Sequence, residues 1–252
     1  MFLLFSNNGK IIFMLLSIII PCYNEAKAIK NNVEEKVIPF LKTLGINYEL
    51  ILVNDGSKDE TMEVIKTIEG VIAIGYETNR GKGGAIKYGI EHASGDYILF
   101  MDADLSTDLV AFNELIPLLG QFDLIIGSRH LKKSEMPVKQ PLIRRFVGKS
   151  CRVLVNANYG FRLKDTQCGF KAIRSEYAKF MAAKQLVNRF AVDVEYLYIA
   201  KLNNWSIKEI PVIWRNDRST TVSIFKSSKQ FIKDMLKIKK NKKNYLFEKG
   251  EK

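Results

Sequence analysis

Five short apolar runs, at Leu15–Ile20, Tyr48–Val53, Val71–Tyr76, Tyr97–Met101 and Asp123–Gly127, alternate with helical patterns near Ala28–Leu44, Thr61–Glu69, Gly84–Ala93 and Leu109–Leu119. Runs this short and this continuously apolar predict strands covered on both faces. The helices between them supply the crossovers that parallel strands require. The first half must therefore fold as an α/β unit with a mostly parallel sheet and helices on both faces. In such a sheet, ligands settle beyond the carboxyl ends of the strands.

Polar clusters occupy those ends. PCYNEAKAI follows the first run, NDGSKDET the second, ETNRGKGGA the third and DADLSTD the fourth. Singly, each reads as a turn, with Pro21 and Gly56 as turn formers and Asp59 as a helix cap. Together on one edge they predict a binding rim. Asp102 and Asp104 are one residue apart, and in extended backbone both side chains point the same way. Two carboxylates aimed at one spot call for a hard cation, Mg²⁺ or Mn²⁺, shared with substrate phosphates. Asp55 offers an acceptor for the N–H of uracil or, equally, of guanine. Arg80 and Lys82 can reach phosphates while the neighbouring glycines admit close backbone. GKGGA lacks the spacing of a Walker loop, and no dinucleotide fingerprint follows the first strand, which excludes an NTPase or a dehydrogenase.

The chain has 252 residues and a formal charge of +12, which points to anionic partners: phosphorylated substrates, an anionic membrane surface or nucleic acid. Acidic loops on the rim argue against nucleic acid. Three cysteines without a CxxC and only two histidines exclude a disulfide framework or zinc site and suggest a reducing, cytoplasmic setting. MFLLF and IIFMLLSIII are interrupted by SNNGK, and neither reaches the roughly 20 residues of a spanning helix, so no transmembrane segment is expected.

The second half is less regular. It predicts a helix from Leu142 to Ala157, a turn entering a strand in LKDTQCGFKAI, an amphipathic helix in VDVEYLYIAKLNN and a strand in WSIKEIPVIW. From residue 226 onward, Lys229, Lys233, Lys237 and Lys240 alternate with Phe231, Ile232, Met235, Leu236 and Ile238. This predicts a basic helix lying on a membrane through Phe231, Met235 and Ile238, then a disordered NKKNYLFEKGEK. The chain is expected to divide into one main α/β domain, 1–225, and a basic amphipathic tail, 226–252.

SIIIPCYNEAKAI, LVNDGSKDET, NRGKGGAIKYGIEHASGDYILFMDADLSTD, IIGSR, DTQCGFK and VDVEYLYIA, in this order, resemble the family 2 glycosyltransferases of GT-A fold. Within them the chain is similar to the dolichyl-phosphate glucosyltransferase and polyprenyl-phosphate mannosyltransferase branch. The resemblance implies that Pro21, Tyr23, Glu25 and Asp55 hold the nucleoside, with Lys82 at the diphosphate. It implies that Asp102 and Asp104 bind sugar, ribose or metal, with Ser106 where relatives often place a third ligand. Arg129 and Arg144 or Arg145 would grip an acceptor phosphate, and Asp104 and Asp165 would flank the reacting sugar. Asp108 stands where many relatives carry proline.

The implied reaction is inverting transfer of a hexose, glucose from UDP-glucose, onto a polyprenyl phosphate at the cytoplasmic face of a membrane. GDP-mannose as donor, or a polysaccharide hydroxyl as acceptor, are the alternatives. A phosphate monoester has a second pKa of about 6 and arrives anionic. It needs cations rather than a strong base, so Asp165 is expected to orient first and act as a base only secondarily.

Overall fold

The computed structural model describes residues 4–5, 11–12, 14–137, 142–215 and 224–247, with backbone alone for residues 4–5, 11–12, 142–147 and 224–228. In chain order these form β1 (Leu4–Phe5), β2 (Ile11–Ile12), β3 (Leu15–Cys22) and α1 (Ile29–Asn31), which continues through a wide π turn (Asn32–Val37) into α2 (Ile38–Leu44). There follow β4 (Asn47–Asp55), α3 (Thr61–Lys66), β5 (Ile72–Tyr76), α4 (Lys82–His92), β6 (Tyr97–Phe100), α5 (Ala111–Leu115) and β7 (Leu124–Ser128). The second half supplies α6 (Leu142–Tyr159), β8 (Lys171–Arg174), α7 (Ser175–Lys184), α8 (Val192–Leu202), β9 (Ile207–Pro211), α9 (Ile224–Lys240) and a closing 3-10 turn, Lys242–Tyr245. Each predicted strand of the first half forms within two residues of its expected ends.

The main sheet has seven strands in the order β5-β4-β3-β6-β8-β7-β9. All pairings are parallel except those of β8, which lies antiparallel between β6 and β7. Alternation along each strand divides the core in two. Ile19, Ile98, Phe100 and Ile126 face α4, α7, α8 and α9, while Leu16, Ile18, Ile20, Leu99 and Ile125 face α1, α2, α3 and α5. In the α1–α2 segment, buried Ile29, Val33, Val37 and Leu41 recur every four residues. At 3.6 residues per turn that stripe would drift round the helix, and the wide turn keeps it on the sheet.

Pro21 sits inside a central strand rather than in a turn, opposite Val53. Ile19 directs its carbonyl toward β6 and accepts from Met101 N–H. Pro21 faces the same way two residues on, beyond the last β3–β6 pair, where its missing N–H breaks no ladder bond.

Three expectations change. Helix α8 is not amphipathic: every residue from Val192 to Ala200 is buried, Asp193 and Glu195 included. Helix α7 was not foreseen, although Ala178, Met181 and Ala182 form its buried stripe at helical spacing. Residues 241–247, expected to be disordered, are part of the fold, and the rest of that stretch lies outside the described residues. Met235 and Ile238 enter the core, Phe231 packs against it, and Tyr245 is fully buried. Among the described side chains of α9, the exposed apolar ones are instead Ile232 and Leu236.

Candidate active site

The four predicted loops converge. Asn24, which adopts a left-handed φ of 57°, accepts Lys58 N–H at 2.8 Å and donates its own N–H to Ser57. Glu25 N–H reaches Thr61 Oγ1 at 2.8 Å, tying the β3 loop to the β4 loop. Asp55, at the end of β4, joins the β5 loop. Its carboxylate accepts from Tyr76 OH, Asn79 Nδ2 and the N–H groups of Arg80 and Gly81, at 2.6–3.1 Å. Both oxygens are thus engaged within the protein, and the residue expected to face a base also shapes the NRGKG turn. The Arg80 guanidinium lies 4.2 Å from the Tyr76 ring centre.

The glycines of that turn also differ in use from the sequence reading. Gly81 has φ 92°, and a side chain there would strike the Asn188 carbonyl. The close approach they permit is to the protein's own 185–189 loop. Lys82, at the start of α4, hydrogen-bonds Asp102 Oδ1 and so joins the β5 and β6 loops. Burial works against its charge, but the carboxylates of Asp102 and Asp193 outweigh this and raise its pKa.

Asp102-Ala103-Asp104 is not extended. Leu105 N–H bonds the Asp102 carbonyl at 3.3 Å, and Leu105 itself takes a left-handed φ of 51°. This is the kind of local strain that a site can hold. The two carboxylates still feel each other: partial removal from water, then the charge of Asp102, raises the Asp104 pKa. Ser106 turns its N–H onto Asp104 Oδ1 at 2.9 Å and acts as the holder of that carboxylate. Among the described residues no group of three carboxylates, histidines or cysteines is placed to hold a metal. A cation here would find two carboxylates, Asp102 and Asp104, and would have to complete its shell with other oxygens such as water and phosphate.

On the far side of Asp102 lies the DTQCGF loop. Gly169 backs directly onto the Asp102 carboxylate, leaving no room for a β-carbon. Asp165 and Arg129, expected to act separately, form one bidentate pair: Nε to Oδ2 at 2.6 Å and Nη2 to Oδ1 at 3.0 Å. Burial opposes ionisation of Asp165, but Arg129 more than offsets it and holds the pKa at about 2. The Arg129 guanidinium also lies 5.5 Å from the Trp214 ring centre. Next in the chain to this pair, the hydroxyls of Ser128 and Thr166 are buried without hydrogen-bond partners. Tyr23 stands exposed at the rim. Arg144 and Arg145 fall in the first turn of α6, and their side chains lie outside the described residues.

Two groups escaped the sequence reading. Lys171, fully buried, places Nζ 2.5 Å from both Asp193 Oδ1 and the Cys168 carbonyl, pinning the DTQCGF loop to α8. The chain also returns at 213–215 to brace the Asp102 loop, where Arg215 pairs with Asp108 at 2.8 Å and donates N–H to the Ser106 carbonyl. Asp108 is thus the partner that docks this segment.

Residues 17–181 match the family described as glycosyl transferase family 2. Over 94% of its length the chain is 32% identical to a dolichyl-phosphate beta-glucosyltransferase of Dictyostelium discoideum, spanning 77% of that protein. It is 34% identical to the dolichyl-phosphate beta-glucosyltransferase of Homo sapiens, covering 89% of this chain and 74% of that one. Among solved structures, glucosyl-3-phosphoglycerate synthase from Mycobacterium tuberculosis, crystallised with Mn²⁺, UDP and phosphoglyceric acid, superposes with a TM-score of 0.66 at 20% identity. The match covers 90% of this chain and 78% of that one. That likeness establishes the GT-A fold.

Proposed function

The chain belongs to glycosyl transferase family 2 and is a glycosyltransferase, and from that premise we propose that it transfers glucose from UDP-glucose to a dolichyl-type polyprenyl phosphate, with inversion at the anomeric carbon. The observation that carries this reading is the Arg129–Asp165 pair. A hydroxyl acceptor needs a base near neutrality, whereas Asp165 is held at about 2 and serves poorly as one. A phosphate acceptor arrives without a proton to remove. It needs a fixed cation, and Asp165 takes Nε and Nη2 of Arg129, leaving Nη1 for an acceptor oxygen. The unpartnered hydroxyls of Ser128 and Thr166 add polar groups at the same end.

The donor would lie along the Lys82–Asp102–Asp104 side, its nucleoside toward Pro21, Tyr23, Glu25 and the Asp55-braced turn. Asp102 and Asp104 would hold Mg²⁺ or Mn²⁺, which when bound neutralises charge on the diphosphate. An acceptor phosphate oxygen forms its bond to the sugar C1 as the bond from C1 to the diphosphate breaks. The electron pair leaves with the nucleoside diphosphate, and Lys82 stabilises it there. Asp165 keeps Arg129 aimed throughout.

The same reading puts the enzyme peripherally on the cytoplasmic face of a membrane, with the segment from residue 226 as the contacting element. Exposed Ile232 and Leu236 lie on α9 among exposed Lys229, Lys233, Lys237, Lys239 and Lys240, a pattern suited to anionic headgroups. No described helix is long and apolar enough to cross a membrane.

Incubation of the enzyme with labelled UDP-glucose, dolichyl phosphate and Mg²⁺ should move label into the organic phase. Label from GDP-mannose alone would replace the donor, and label only in an aqueous polysaccharide would replace the acceptor.

A further inference from the structure

A buried glutamate ties the end of the chain to the first turn of α4. Glu195, on α8, is fully buried and has three donors on its two oxygens. Leu186 N–H lies at 2.7 Å and Tyr245 OH at 2.5 Å from Oε1, and Val187 N–H at 3.1 Å from Oε2. The loop so held grips α4: the Asn188 carbonyl accepts Gly84 N–H at 3.1 Å, and Gln185 Nε2 donates to the Gly83 carbonyl at 3.0 Å. Lys82, the residue assigned to the diphosphate, directly precedes these two glycines.

All three donors are neutral. A carboxylate buried without a cation stabilises a fold poorly compared with an apolar side chain of the same volume. What it supplies is placement: two backbone N–H groups and one hydroxyl fixed around one rigid group. Tyr245 completes the set from the opposite end of the chain. It is anchored in turn by Asn203, whose Nδ2 donates to the Tyr245 carbonyl at 2.8 Å and whose Oδ1 accepts Phe247 N–H at 2.7 Å.

We infer that Glu195 and Tyr245 are positioning residues for the donor: through the 185–188 loop they set the first turn of α4 and with it the placement of Lys82 against the diphosphate. This rests on the reading of the rim as a nucleotide-sugar site. It also makes the closing turn of the chain part of the donor machinery, although it touches no donor.

Tyr245→Phe removes one hydroxyl and keeps the ring. Tyr159→Phe is the matched control, since Tyr159 OH donates to the Met235 carbonyl at 2.6 Å in the same core and holds α6 to α9, not the loop. Both full-length variants should lose similar melting temperature. Titration with UDP and with GDP, and steady-state kinetics for donor and acceptor, separate them. Tyr245→Phe should raise the nucleotide Kd and the donor KM about five-fold, the effect of one net hydrogen bond, with acceptor KM unchanged. Tyr159→Phe should leave both near wild type. Equal nucleotide affinity in the two variants, with wild type binding normally, overturns the inference and leaves the donor site standing. Wild-type enzyme that binds neither nucleotide overturns the donor site and the inference together.

Discussion

Asp165→Asn keeps the shape of the side chain and removes its charge, so it isolates the Arg129 pair. Asp165 is only 2% exposed, and Arg129 engages both of its oxygens. Lowering its pKa from the ordinary 3.8 to about 2 corresponds to about 2.5 kcal/mol of native-state stability. A depressed carboxylate contributes fully above its unfolded pKa and loses that contribution as pH falls through the folded value. The pH-linked part of the gap between wild type and variant should therefore hold at about 2.5 kcal/mol from pH 8 to 5. It should shrink to about 2 at pH 4 and about 1.3 at pH 3. A further loss independent of pH is expected, because Arg129 is left partly buried beside an amide; breaking such pairs costs ~3–5 kcal/mol in all. Urea unfolding followed by the fluorescence of the two tryptophans measures the gap at each pH. A gap that stays constant to pH 3, or widens as the pH falls, would refute the idea that Arg129 holds this carboxylate ionised.

Asp104→Ala and Asp102→Ala should each lower transfer about a hundred-fold or more with the fold intact, and EDTA should reproduce the loss until Mg²⁺ or Mn²⁺ is restored; full activity in EDTA contradicts the metal assignment. Gly169→Ala should displace Asp102, and a shift near 1 Å is enough to cost about a hundred-fold in kcat; unaltered kcat would mean that the carboxylate has room to move. Truncation after Lys240 removes buried Tyr245 and also Phe247, whose ring lies 4.9–5.7 Å from those of Phe180, Trp205 and Tyr177. It should destabilise by ~3–5 kcal/mol or more in a melting experiment, where a disposable tail would change nothing. Ile232→Asp with Leu236→Asp should release the enzyme from anionic vesicles in sedimentation while turnover of a short, water-soluble prenyl phosphate persists. Undiminished vesicle binding would remove α9 from the membrane contact.

The parallel strands and the convergence of the loops after them were legible because strands buried on both faces leave continuous apolar runs, and the polar clusters after them share an edge. What stayed hidden depends on distant partners. Asp193 and Glu195 look like the wet side of an amphipathic helix until Lys171 and Tyr245, 22 and 50 residues away, are seen to cover them. Asp55 presents as a free acceptor because its donors lie 21–26 residues downstream. On α9, Ile232 and Leu236 recur four apart and Met235 and Ile238 three apart, so periodicity alone does not say which face packs. The turn at Asp102 rests on Leu105 in a left-handed conformation, which no glycine announces.

The account stands most directly on the product. Lipid extracted after turnover with UDP-glucose and dolichyl phosphate can be purified and its sugar–phosphate linkage read by proton and phosphorus NMR. Direct displacement by a phosphate oxygen predicts glucose joined through C1 to a single phosphate, with the large diaxial H1–H2 coupling of a β-glucoside. An α-linked sugar, or glucose joined to a hydroxyl with no phosphorus coupling at C1, would contradict it.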